Sequence, residues 1–193
     1  MMEAGCSPVS TKTFTINSDF FMFKKLSLLF FFSIFFWSSA QKTDSLQIDF
    51  PAKYKLKLAN SKENMQMKVL EYIPENENWE NYSIIITKLT MKNMAQVPLQ
   101  TVFEYHKKMA EEKVENLTVT EISKNKEGEK EFKLFTMEAD AYKDNSGTES
   151  QVYYFVKGDQ DIIMCIAAIK QKKLPAEFVD EWSKIFLKSQ FIK

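Results

Sequence analysis

Two residues of this sequence carry side chains that could do the chemistry of a hydrolase. His106 is the single histidine of the chain, and Cys165 is the only cysteine after residue 40. An imidazole paired with a carboxylate can act as a general base, and a thiolate next to a base can act as a nucleophile. A small periplasmic enzyme that uses His106 with a carboxylate is therefore the alternative function to be weighed.

The residues around His106 and Cys165 favour structural roles instead. Apolar side chains recur three or four positions from His106, which places it on the apolar face of a predicted helix. Cys165 lies in the run 161–170, "DIIMCIAAIK", which is apolar on both alternating faces and is typical of a central strand covered on both sides. We expect His106 to pack at the edge of a core and Cys165 to be buried, and we predict no catalytic residue.

The sequence also lacks the patterns of common metal and cofactor sites. A zinc site usually has three or four His, Cys or carboxylate ligands, and one histidine with one cysteine falls short of that set. The chain has 4 glycines, and their spacing matches neither G-x-G-x-x-G nor a phosphate-binding loop. The adjacent acidic pairs 111–112 and 180–181 fall on the solvent faces of predicted helices. We therefore predict no metal and no cofactor.

The charge of the chain points away from nucleic acid as a partner. Its 26 basic residues are all lysine, and 26 Asp and Glu residues balance them, so the formal net charge is +0 at pH 7. A neutral chain has no general attraction to an anionic polymer. Arginine, the side chain best suited to bidentate contact with phosphate, is absent from the sequence.

A candidate binding site lies in the stretch Glu71–Thr87, "EYIPENENWENYSIIIT", where aromatic residues interrupt a run of Asn and Glu. Trp and Tyr are enriched in binding hot spots, because they bury a large area at a small entropic cost. We therefore name Trp79, Tyr82 and Tyr72 as candidate ligand-binding residues. The competing interpretation, which we favour for Trp79, is that its indole packs onto the adjoining strand and plugs one end of the core.

The segment Met22–Ala40 has the pattern of a secretory signal peptide. Two lysines precede an apolar run, Leu26–Trp37, and the small residues Ser38–Ala40 follow it. The apolar run is shorter than the roughly 20 residues that span a bilayer, so we expect no stable membrane insertion after cleavage. We interpret residues 1–21 as an over-extended gene start, 22–40 as the signal peptide and 41–193 as one globular domain.

This leader predicts how the protein is processed. We expect synthesis to start at Met22 and cleavage to occur between Ala40 and Gln41, because small residues occupy the positions that signal peptidase recognises. The mature protein would then reach the periplasm or the medium of a bacterium. Intact-mass and N-terminal analysis of the native protein checks this expectation, and a mature form that retains Phe30–Trp37 would contradict export.

The hydropathy pattern beyond residue 41 predicts two helices among eight strands. Helices are expected after Pro98 and Pro175, since proline is tolerated at the start of a helix. Turns are expected at 60–64 and at 124–130. Short connections between most strands predict an α+β fold, a mainly antiparallel β-sheet with helices packed on its faces. The predicted strands are 46–50, 54–58, 65–71, 83–91, 117–122, 131–142, 151–157 and 161–170.

The order of these elements resembles a known family. The segments "FPAKYKL" and "EYIPENENWENYSIIIT", then a proline-initiated helix, a long hairpin, an apolar strand and a final helix, are similar to the Mog1/PsbP-like sandwich over residues 46–190. The chain looks most like small exported bacterial members with a P-E-x-E-x-W segment, here Pro74–Trp79. The resemblance implies a binding or assembly module without a catalytic set. We therefore favour an exported non-enzymatic binding module whose partner is an unidentified protein or small molecule.

Overall fold

A seven-stranded sheet forms the centre of the structure, a computed structural model that describes residues 43–124 and 130–192. A short 3₁₀ turn, Ala52–Tyr54, precedes the first strand of this sheet. In chain order the strands and helices are β1 (Ser45–Gln47), β2 (Leu56–Glu63), β3 (Met67–Pro74), β4 (Ile85–Met91), α1 (Leu99–Lys113), β5 (Val114–Glu115), β6 (Thr118–Lys124), β7 (Phe132–Glu138), β8 (Ala141–Tyr142), β9 (Ser150–Lys157), β10 (Ile162–Ile169), α2 (Ala176–Leu187) and β11 (Gln190–Ile192).

Every neighbouring pair of strands in the large sheet is antiparallel. The order across the sheet is β2-β3-β4-β10-β9-β7-β6, while β1 pairs with β11 and β5 pairs with β8 in two small sheets. Helices α1 and α2 pack against opposite faces of the large sheet. The predicted α+β fold, a mainly antiparallel sheet with helices on its faces, is confirmed.

Strands β9 and β10 are buried on both faces. Along β10, Cys165 packs in the core that contains α2, whereas Ile162 packs in the core that contains α1. Strand β9 alternates in the same way, with Tyr154 towards α2 and Tyr153 towards α1. Successive side chains of a strand point to opposite faces, so these two strands join the two helical layers. The predicted central position of the run 161–170 is confirmed.

Helix α2 supplies the largest side chains of the first core. Trp182 and Phe186 are both 0% exposed, and their rings, one helical turn apart, lie 5.4 Å from centre to centre. The helix begins at Ala176, directly after Pro175, as the sequence predicts. The predicted core position of Trp182 is also confirmed.

Helix α1 covers only part of the opposite face. Leu99 is fully buried, and the core around it contains side chains from β7, β9 and the first half of β10, such as Tyr153 and Ile162. On the same face, Ala168 in the second half of β10 belongs to a separate small cluster with Ile85. This second half of the face is where the candidate site lies.

The structure corrects the predicted turn at 60–64. Residues 60–63 belong to the edge strand β2, and the chain turns after Asn64 instead. Oδ1 of Asn64 accepts hydrogen bonds from the backbone N–H groups of Gln66 and Met67, both at 2.8 Å. An edge strand can be polar because much of it faces solvent, so the polar second half of β2 gave no sign of strand structure beyond the predicted strand 54–58.

The first predicted strand is also shorter than expected. Of the predicted strand 46–50, only residues 46 and 47 lie in a strand, because β1 (Ser45–Gln47) pairs with the three-residue strand β11 rather than with the large sheet. The predicted segments 1–21 and 22–40, and residues 125–129 of the charged turn, lie outside the described residues. Within the described ranges, no helix combines the length and apolar character needed to cross a membrane.

The position of Cys165 predicts an inert thiol. The residue is 0% exposed, and burial raises the pKa of its thiol to about 12, so little reactive thiolate forms at neutral pH. We expect thiol reagents to label Cys165 only after denaturation, and Cys165→Ala to lower the free energy of unfolding by about 1 kcal/mol. Peptide mass spectrometry of the labelled protein measures the first effect, and rapid labelling of Cys165 in the native protein would contradict its burial.

Candidate functional site

An open groove with a volume of about 690 Å³ lies on the part of the sheet that α1 leaves uncovered. One wall is the turn between β3 and β4, and the other is the segment 142–149, which leads from β8 into β9. Its floor is formed by side chains of three adjacent strands, Glu71, Thr87, Ile166 and Ala168. We call this site the aromatic groove, because its walls carry Trp79, Tyr82 and Tyr142.

The turn between β3 and β4 is held by hydrogen bonds to its own Asn and Glu side chains. Oδ1 of Asn78 accepts from the N–H groups of Glu80 (2.9 Å) and Asn81 (3.2 Å), and Oδ1 of Asn81 accepts from the N–H of Asn78 (3.1 Å). The carboxylate of Glu77 accepts from the backbone N–H (2.6 Å) and the hydroxyl (2.8 Å) of Ser83. These side chains take the place of missing backbone partners, which explains why the run is rich in Asn and Glu.

Trp79 projects from this turn and is 46% exposed beside the groove. The prediction that it plugs the core is therefore wrong. The aromatic residue that packs against the uncovered sheet face is Tyr82, which lies in the cluster formed by Ile85 and Ala168. Because the turn is fixed by its own hydrogen bonds, its shape does not require a buried indole.

Tyr82 connects the two walls of the groove. Its hydroxyl donates to Oε2 of Glu149 at 2.8 Å, and Nζ of Lys170 lies 3.9 Å from the centre of its ring. Burial, together with the nearby Glu149 carboxylate, raises the pKa of Tyr82, so its hydroxyl stays protonated and can donate at neutral pH. Lys170 also donates to the carbonyl of Glu80 at 3.0 Å, which ties the end of β10 to the turn.

Tyr72 lies on the opposite face of the sheet. Side chains alternate along β3, so Glu71 faces the groove, whereas Tyr72 packs edge-on against Phe50 with ring centres 5.0 Å apart. Tyr72 borders a different cavity, of about 240 Å³. The structure thus brings Trp79 and Tyr82 together and leaves Tyr72 outside the site.

Glu149 is bound by neutral donors. Its Oε2 accepts from Tyr82, and its Oε1 accepts from Nε2 of Gln151. Burial first, and then the charge of Glu149, raise the pKa of Tyr142 to about 12, which keeps this second phenol neutral as well. The carboxylate is therefore positioned by hydroxyl and amide groups at the boundary between the two walls.

The polar groove residues that are missing from the candidates named on sequence include Glu71, Tyr142, Glu149 and Lys170. Glu71 offered one signal, since it is the charged residue inside the otherwise apolar run 69–74 and marks a face that lacks a packed layer. The other three residues gave no signal in the sequence, because only the pairing of distant strands brings them next to Trp79.

His106 lies outside the aromatic groove, in a neighbouring cavity of about 220 Å³. Its ring packs edge-on against Tyr153 and Phe155, with ring centres 5.1 Å and 5.7 Å away. Burial, and to a smaller extent the charge of Lys113, lowers the pKa of His106, so the imidazole is neutral at neutral pH. This is the packed position at the edge of a core that the sequence predicts. Glu149 also borders this cavity.

In residues 43–124 and 130–192, no group of three or more His, Cys, Asp or Glu side chains is placed to hold a metal ion. No protein-family model matches the chain, and a search of curated proteins found no similar sequence. The Mog1/PsbP-like relationship therefore stays a prediction.

The exposure of Trp79 predicts a small effect on stability. Trp79→Ala should change the free energy of unfolding by less than about 1 kcal/mol, because the side chain lies outside the core. Trp182→Ala is the matched control: this indole is 0% exposed, and truncation of a buried Trp costs about 3 to 5 kcal/mol. Urea titration of both variants measures the difference. An equally large loss of unfolding free energy in Trp79→Ala would show that Trp79 packs in the core.

The buried imidazole of His106 predicts a pH dependence. Because its folded-state pKa is lowered, the unfolded chain takes up the proton first as the pH falls. The neutral imidazole of His106 therefore contributes fully to stability above its unfolded-state pKa of about 6.5. This contribution is lost as the pH falls from that pKa towards the lower folded-state pKa. Denaturant titrations at about pH 7.5 and about pH 5 should show wild type losing more stability than His106→Gln. The same loss in both proteins would contradict the lowered pKa.

Proposed function

We propose that this protein is an exported, non-enzymatic binding module that holds its ligand in the aromatic groove. The observation that carries the proposal is the exposed indole of Trp79, fixed on a braced turn next to Tyr82. Exposed large aromatics at a concave site are typical of binding surfaces, because a ligand removes their apolar area from water. The groove volume of about 690 Å³ falls in the range of about 300 to 1,000 Å³ that is usual for ligand sites.

The ionisable groups of the groove support binding rather than catalysis. The carboxylate of Glu149 accepts hydrogen bonds from Tyr82 and Gln151, one on each oxygen, and these bonds hold it between the two walls of the groove. The ammonium group of Lys170 is engaged with the carbonyl of Glu80 and the ring of Tyr82. These groups brace the walls of the groove.

The hydrolase alternative, His106 with a carboxylate, finds less support. Glu149 is the carboxylate that borders the same cavity as His106, but the hydrogen bonds that it accepts come from Tyr82 and Gln151. The charge that acts on the imidazole is that of Lys113, which lowers its pKa. A carboxylate partner would raise the pKa of a histidine instead.

Export and family membership are part of the same proposal. Export rests on the signal-peptide pattern of residues 22–40. A Mog1/PsbP-like relationship is compatible with an antiparallel sheet that has α1 on one face and α2 on the other. The resemblance to this family also implies a protein that acts by binding a protein or a small molecule.

The proposal predicts that ligand retention depends on Trp79. The purified protein is incubated with a metabolite extract from its native cells and examined by native mass spectrometry, which detects bound masses. Wild type should retain a ligand that Trp79→Ala loses, because the indole forms part of the contact surface.

Tyr105→Ala is the matched control for this experiment. Tyr105 is an aromatic residue of α1 that is 67% exposed and does not line the groove, so its removal should leave ligand retention unchanged. A ligand retained equally by wild type and Trp79→Ala, or no retained ligand at all, would contradict the groove as the binding site.

A further inference from the structure

The hydrogen-bonding groups of the aromatic groove retain capacity for a ligand. A carboxylate has about four acceptor positions, and the bond that Glu71 accepts from Nδ2 of Asn60, at 2.6 Å, occupies one. The amide of Gln151 donates to Glu149 and keeps its carbonyl oxygen and a second N–H. Thr87 adds a hydroxyl to the floor. The groove therefore offers acceptors and donors side by side.

The charges of the groove disfavour a strongly charged ligand. The carboxylates of Glu71 and Glu149 would repel an anion. The ammonium group of Lys170 would repel a cation, and it already lies over the ring of Tyr82, so that ring is not open to a cationic ligand. Like charges placed together at an interface weaken binding, so an uncharged ligand avoids both penalties.

The groove also offers an apolar platform. Trp79 is 46% exposed and presents a flat indole, and the partly exposed Ile166 adds apolar area at the floor. A ligand that fits the groove therefore needs an apolar face to pack on this platform, and several neutral hydrogen-bonding groups to bond the polar side chains. A sugar ring has both, since its C–H groups form one face and its hydroxyl groups donate and accept around the edge.

We propose that the aromatic groove binds a neutral polyhydroxylated ligand, a short oligosaccharide, with a ring against Trp79 and hydroxyl groups bonded to Glu71, Thr87 and Gln151. This inference rests on the proposed function and adds the chemical class of the ligand. It assigns Trp79 the stacking contact and Glu71 the role of a hydrogen-bond acceptor rather than of a counter-ion.

Calorimetric titration with defined probes tests the ligand class. The probes are neutral trisaccharides of glucose, galactose, mannose, xylose and N-acetylglucosamine, with hexalysine and hexaglutamate as charged comparisons. At least one sugar should bind, and Trp79→Ala should weaken it by about tenfold or more, whereas Tyr105→Ala should not. Raising the salt from about 0.05 M to about 0.5 M should leave the affinity unchanged, because screening acts on charged partners.

Two results would overturn the inference. One is that none of the sugars binds. The other is that hexalysine or hexaglutamate binds in a manner that depends on Trp79 and weakens steeply with salt; this second result would preserve the groove as a binding site and change only the ligand class. Failure of the proposed function itself is distinct, since it appears as the absence of any Trp79-dependent ligand in native mass spectrometry.

Discussion

Strands β9 and β10 are apolar on both faces, and each face must be covered by another layer. Helix α2 covers one face with Trp182 and Phe186, and α1 covers the other from Leu99 onward. Helix α1 reaches β7, β9 and the first half of β10, so the second half of that face remains open beside β4 and β3. The aromatic groove exists because this helix is smaller than the sheet face it packs against.

The turn between β3 and β4 converts this open area into a shaped site. Its backbone groups are bonded by Asn78, Asn81 and Glu77, so the turn holds its form without burying an aromatic side chain. Tyr82 packs down onto the sheet and reaches Glu149 on the far wall, which leaves Trp79 at the groove. A site whose walls are already ordered loses less conformational entropy when a ligand binds.

Hydropathy patterns were sufficient for the features that depend on one segment alone. They place Cys165 in a central strand, Trp182 in the core, and helices after Pro98 and Pro175. They carry no information on which distant strands pair, and the groove floor depends on that pairing, since Thr87 of β4 lies opposite Ile166 of β10. The exposure of Trp79 depends on hydrogen bonds within a polar turn, which a hydropathy pattern does not record. Tyr72 was misplaced as a candidate because alternation along β3 turns it to the other face.

The central claim is that Trp79 is held outside the core, next to the groove, in the unliganded protein. Iodide quenching of tryptophan emission tests it most directly, when native wild type is compared with Trp79→Phe, because the other tryptophans are common to both proteins. The emission that disappears in Trp79→Phe should be red-shifted and readily quenched, whereas Trp182, at 0% exposure, should stay protected from iodide. A Trp79 emission that is blue-shifted and protected from iodide would contradict the claim.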